Sequence, residues 1–133
     1  MKVKIGKYPN HRFYHNWLYN WFGYSPKQRV KVTVDPWDTW SMDHTLAPII
    51  LPMLVQLKEN NHSHPSELTE QEWDYIMDEM IWTFEQKCRD DWMEDYDYNK
   101  WDREWDRDGA NAHQERMSNG FILFGKYFEN LWD

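Results

Sequence analysis

The sequence predicts an α+β fold, mostly helical: a small two-stranded β element near the amino terminus, a short helix, then three longer helices. Three observations carry this. "RVKVTV", residues 29–34, alternates β-branched and polar side chains with period two, and "KVKIGK", residues 2–7, does so more weakly. Residues 69–90 set Trp73, Ile76, Met77, Met80, Ile81, Phe84 and Cys88 at steps of three and four, the cleanest helical stripe in the chain. A last helix over 110–131 repeats that spacing, with Met117, Phe121, Phe124, Phe128 and Leu131 inward.

The elements follow in order. Between the two strands, "HRFYHNWLYNWFGYSP" places Phe13, Trp17, Leu18 and Trp21 on one side of a short helix, which Gly23 and Ser25-Pro26 close. "DPWDTWSMDHT" then opens the first long helix. Asp35 stands as N-cap, Pro36 at the first helical position and Asp38 three residues on, with Asp38 itself as an alternative start. This helix is expected to reach about Glu59, with Met42, Leu46, Ile49, Met53 and Leu57 along one stripe and Ile50 and Leu54 beside it. Pro48 and Pro52 lie inside it, so a kink or a break near residues 47–52 is expected, because each removes an amide donor and crowds the preceding turn. "KENNHSHPSEL" reads as a loop, and "SELTEQEW" as the next helix start. "RDDWMEDYDYNKWDREWDRDG" is either a solvated insertion or a short helix. Gly120 and Gly125, inside the last helix, suggest close approach of another backbone or of a ligand.

At 133 residues the chain is sized for a single domain, with a basic strand-helix-strand part (1–34) and an acidic helical part (35–133). No repeat or low-complexity linker divides it. Mean hydropathy is -1.00 although aromatic residues make up 18%, with ten Trp, eight Tyr and six Phe. So many rings exceed what one small core hides, so some are expected at a subunit contact or a ligand site. Trp82, off the stripe of its helix, and the aromatics of 13–24 are the first candidates for a homo-oligomeric contact. No run of about 18 apolar residues occurs, so no membrane-spanning helix is expected. Cys88, the one cysteine, is expected as a small buried apolar residue in a reducing compartment.

Charge divides the chain. Seven of the fifteen basic residues and none of the 23 acids fall in 1–34, leaving +7 there and -15 in the rest. Either the basic part docks on an acidic one, within or between subunits, or it presents a local surface to an anionic ligand. Duplex DNA is disfavoured as a partner by the net charge of -8.

No motif announces catalysis. There is no Gly-rich phosphate loop, no G-x-S-x-G and no zinc signature, and nothing marks Cys88 as activated. The pairs His62/His64 and His11/His15 lack further ligands and read as surface histidines. Asp35 and Asp38 read first as helix capping. Trp37 and Trp40, three apart, either pack in the core or stack on a base. Ser41 and Thr45, one turn apart, either face solvent or reach a ligand. Arg116 and Asn119 beside Gly120, with Lys126 two turns on, form either a salt-bridged helix surface or a grip on a phosphate.

"WDTWSMDHTLAPIILPMLVQLK", "DEMIWTFEQ" and "ERMSNGFILFGKYFENLWD" carry a resemblance. In these motifs the chain resembles a widespread family of small tailed-phage proteins, over about residues 29–60, 71–93 and 110–133. It is also similar to phage anti-CBASS sponges, which sequester cyclic nucleotide immune signals as oligomers without cleaving them. The resemblance implies a non-enzymatic, homo-oligomeric protein of the host cytoplasm, without cofactor or metal, whose ligand is a cyclic dinucleotide or a related small nucleotide. Candidate ligand-binding residues are Arg12, Arg29 and Lys126 with Arg116 for phosphates, Trp37 and Trp40 for bases, and Ser41, His44 and Asn119 for base or sugar edges. Two other classes stand beside it: a phage structural or assembly protein using its aromatics for protein contact, and a metal-dependent nucleotide hydrolase using Asp35, Asp38, Asp43 and His44.

Overall fold

Two antiparallel strands form where alternation was read. The structure, a computed structural model, describes residues 1–7, 9, 12–60, 63–89, 91–99 and 104–132. Strand β1 (Lys2–Ile5) pairs with β2 (Val30–Thr33), placing Val3 opposite Val32, Lys4 opposite Lys31 and Ile5 opposite Val30. Between them lies helix α1 (Phe13–Phe22). Gly23 ends it in the left-handed conformation, φ 65°, and donates its amide to the Tyr19 carbonyl at 2.8 Å.

Three longer helices follow: α2 (Met42–Asn60), α3 (Glu70–Cys88) and α4 (Arg107–Lys126). The fold is α+β and mostly helical. It divides into two compact units, Met1–Ser41 and Met42–Asp133, seven residues beyond the 34/35 charge boundary. The first holds β1, α1, β2 and one 3₁₀ turn; the second holds the long helices. Among the described residues no helix is long and apolar enough to cross a membrane.

The second unit has the core. Ala47 and Leu54 of α2 meet Trp73, Ile76, Met77, Met80 and Phe84 of α3, with Tyr127 after α4. Thr69 caps α3: its hydroxyl accepts from the Glu72 amide at 3.3 Å while the Glu72 carboxylate accepts from the Thr69 amide at 2.8 Å. Across α2 and α3, Lys87 pairs with Asp43 and Lys58 with Asp78.

Several expectations are corrected. The capping signal at Asp35 starts a 3₁₀ turn, Pro36–Thr39, and α2 begins only at Met42. Of the kink or break expected at 47–52, the break does not occur: α2 is helical through Pro48 and Pro52. Both prolines are exposed, so water can replace the amide donors they lack. The buried face of α2 is Ala47, Ile50, Leu51, Leu54 and Leu57, whereas Met42 and Met53 are 58% and 61% exposed. "LAPIILPMLVQL" is apolar on nearly every side, so its sequence did not fix the phase. Helix α4 starts at Arg107 and ends at Lys126; a 3₁₀ turn, Phe128–Asn130, follows, and Phe128 is exposed. Cys88, last residue of α3, is exposed rather than buried. The Asp-Trp-rich segment forms a 3₁₀ turn, Trp92–Tyr96, and two short antiparallel strands, β3 (Asp97–Asn99) and β4 (Glu104–Trp105).

The two helical glycines differ. A Cβ at Gly120 would fall on the Thr83 hydroxyl and within 3.1 Å of the Glu79 carbonyl, so this glycine lets α4 approach α3. A Cβ at Gly125 would meet nothing within 4 Å.

Candidate functional site

The strand register sorts the first unit's side chains onto two faces. Directly opposed residues of an antiparallel pair point the same way, and neighbours along each strand alternate. One face therefore carries Val3, Ile5, Val30 and Val32, all 42–58% exposed. The other carries Lys2, Lys4 and Lys31. Arg29 joins them, since the pairing continues through the Gly6 amide to the Arg29 carbonyl at 2.8 Å. Like charges held directly opposite, as Lys4 and Lys31 are, destabilise a bare ribbon.

The turn carrying the tryptophans is fastened to this ribbon. The Met1 amino group, next to Lys2, donates to Asp38 Oδ1 at 2.8 Å and lies 3.6 Å from Asp35. The Asp35 amide in turn donates to Asp38 Oδ2 at 2.7 Å. The ammonium first, then the Asp35 amide, holds the Asp38 carboxyl below its ordinary range. Trp37 and Trp40 flank Asp38 with ring centroids 6.3 Å apart and planes at 39°. They are 81% and 84% exposed, so the stacking reading of this pair remains and core packing is excluded.

All nine candidate residues are exposed. Arg12, Arg29, Trp37, Trp40 and Ser41 belong to the first unit, and His44, Arg116, Asn119 and Lys126 to the second. In the first, Arg12 stands at the start of α1 and Arg29 on the ribbon. In the second, Arg116 is already engaged. Its Nε and Nη2 donate to the two Glu79 oxygens at 3.0 and 2.6 Å, and its guanidinium lies 3.8 Å from the Trp82 ring centroid. Lys126 sits 4.8 Å from the Tyr127 ring. Of the four residues offered for hydrolysis, Asp35 and Asp38 face the Met1 amino group and Asp43 faces Lys87. Among the described residues no three His, Cys, Asp or Glu side chains gather as a metal would require. His11 and His62 lie outside the described residues.

Sequence reasoning missed one constellation. His113 stacks on Trp92 at 4.5 Å and 16°, and sits 4.9 Å from Trp82. Its Nδ1 shares a 2.8 Å hydrogen bond with the Tyr96 hydroxyl, and its buried Nε2 has no hydrogen-bond partner among the described residues. Burial, aided by Arg89 and Arg116 and opposed by Asp95, pushes the imidazole below its ordinary pKa. Trp82, expected at an interface or a pocket, is thus covered by Arg116 and His113. No spacing rule links these residues, because three separate segments supply them: α3, the Trp92–Tyr96 turn and α4. The cationic ribbon was closer to legible: its alternation was visible, but not the register that puts Lys4 against Lys31.

No protein-family model matches this chain, and the searches of curated proteins and of solved structures each found no match.

Proposed function

We propose that the protein is a non-enzymatic binding module that holds a small nucleotide, a sponge for cyclic nucleotide signals in the cytoplasm of a phage-infected host. The observation that carries this reading is the cationic ribbon face: Lys2, Lys4, Arg29 and Lys31 together, with Lys4 directly against Lys31. A phosphate between opposed lysines converts a repulsion into two charge-assisted contacts. Trp37 and Trp40, tethered at the same end of the ribbon through Met1 and Asp38, supply exposed rings for bases. Base stacking on such rings contributes about 1–3 kcal/mol each in nucleic-acid complexes. Arg12 and Ser41 are the remaining candidates in this unit.

The test is calorimetric titration with cyclic dinucleotides, followed by denaturation and analysis of the released ligand. Intact ligand supports the sponge, whereas a cleaved product supports the hydrolase reading. Replacing Lys4 and Lys31 together with Glu is expected to weaken binding more than tenfold, about 1.4 kcal/mol. Trp37→Ala is expected to act in the same direction. The assembly-protein reading keeps one observation of its own: α1 buries no residue, and Phe13 is 90% exposed. Absence of binding to every cyclic and linear nucleotide would favour it.

A further inference from the structure

The exposed face of α1 is self-complementary, and we propose that it pairs antiparallel with α1 of a second copy of this chain. The inference stands whether or not a nucleotide binds.

Phe13, Tyr14, Trp17 and Trp21 occupy one sector of the helix roughly 100° wide, since successive residues turn by about that angle. Their rings form two pairs along that sector: Phe13 and Tyr14 are 5.7 Å apart, Trp17 and Trp21 5.8 Å. They are 90%, 39%, 54% and 71% exposed. At about 150–250 Å² per aromatic residue they leave roughly 550 Å² open on each copy. Two copies would bury at most about 1,100 Å² through these rings, which reaches the ~1,000 Å² that a specific interface needs.

Three features select a second copy as the occupant. First, Phe13, Trp17 and Trp21 are spaced by four, so Trp17 is the midpoint. Run antiparallel about a two-fold axis at Trp17, the sector meets itself with Phe13 of one copy against Trp21 of the other. Such isologous pairing is the commonest form of assembly. Second, α1 contains no Lys, Arg, Asp or Glu, so the paired faces themselves bury no charge, and the +7 of residues 1–34 makes the pairing tighter at higher salt. The cations that line the polar face of membrane-surface helices are absent as well. Third, α1 is charged the wrong way round for a lone helix. Arg12 stands at its amino end, its first turn has no acid, and its last turn has no base. Helix dipoles favour cations at the carboxyl end. Antiparallel pairing puts Arg12 of each copy beside the carboxyl end of the other helix, which offsets the mismatch at its own.

Light scattering on the purified chain at tens of micromolar should give twice the 16.6 kDa chain mass. Trp17→Asp, which sets two carboxylates on the axis, should weaken the dimer more than ~100-fold and give a monomer. Tyr19→Asp, an exposed position on the opposite side of α1, should leave the dimer intact. Should Trp17→Asp fail to fold by circular dichroism, a Cys88→Ser/Trp17→Cys chain keeps the proposal falsifiable: mild oxidation should link two copies through residue 17. A monomeric parent, a dimer that ignores Trp17→Asp, or no disulfide at 17 would each overturn it. A monomer that floats with anionic lipid vesicles and loses this with Trp17→Asp would assign the face to a membrane instead.

Discussion

The two units treat their aromatic residues differently: both expose some, Tyr75, Phe128 and Trp132 among them, but among the described residues only the second buries any. In Met42–Asp133, Trp73 is 3% exposed, Phe84 is 5% exposed, and Met77, Met80 and Thr83 are sealed beneath them. In Met1–Ser41, Trp17, Trp21, Trp37 and Trp40 are 54–84% exposed, and neither strand nor helix buries a single residue. Ring content therefore does not measure core content. One unit is held by side-chain packing. The other is held by a backbone ladder, a helix cap and the Asp38 clasp, and it keeps its apolar surface outward.

The largest effect should come from cutting into each unit in turn. Met80→Ala is expected to cost about 2–5 kcal/mol, by lost burial plus the cavity left behind. Ile5→Ala, at a position 58% exposed, is expected to cost no more than about 0.5 kcal/mol. Urea unfolding of both variants reads the contrast. Equal losses would mean that the apolar ribbon face is covered in solution, and the contrast between the units would fail.

The glycines of α4 sharpen the picture inside the helical unit. Gly120→Ala drives a methyl into Thr83 and the α3 backbone, and is expected to cost about 1–3 kcal/mol by overpacking. Gly125→Ala enters open space in the last turn and is expected to stabilise by about 0.5 kcal/mol through helix propensity. Thermal melts with opposite signs for the two would confirm that α4 touches α3 at 120 and not at 125.

A smaller effect is expected from pH. Burial holds the His113 pKa below the ordinary 6.5, so the unfolded chain takes up this proton first as pH falls. Stability from the neutral ring is then complete above pH 6.5 and is lost as pH drops through the lower folded value. The urea midpoint should fall between pH 7.5 and 5.5, a window above the titration of Asp38, Asp43 and Glu72, whose carboxyls lie below their ordinary range. His113→Phe keeps a ring between Trp82 and Trp92 without the proton, and should flatten this slope. Parallel slopes in the two proteins would mean that the imidazole is not enclosed.

What was legible in the sequence follows from the same contrast. The α3 stripe was readable because its polar residues fill the other faces, and Trp73, Ile76, Met77, Met80 and Phe84 are indeed buried. The ribbon was readable from alternation, and α1 from its spacing and Gly23. The phase of α2 was not, since Ala47 is buried where the larger Met53 is exposed. At the candidate site, Trp37 and Trp40 could be named but not sorted between core and surface. The pairing of Arg116 with Glu79, 37 residues away, depends on how two helices meet and leaves no trace in local spacing.

The ribbon has a consequence for exchange and folding. Its strands are joined by residues 6–29, so pairing Lys2 with Thr33 must close a long loop before any ladder bond repays the lost chain entropy. With only exposed side chains to hold it, the ribbon should open locally at a free energy well below that of global unfolding. Amide protons of Lys2, Lys4, Lys31 and Thr33, which the register turns toward the partner strand, should then exchange with deuterium long before those of Met77 and Met80. Whatever closes on the ribbon, a phosphate or a second chain, should announce itself first as slower exchange at those four amides.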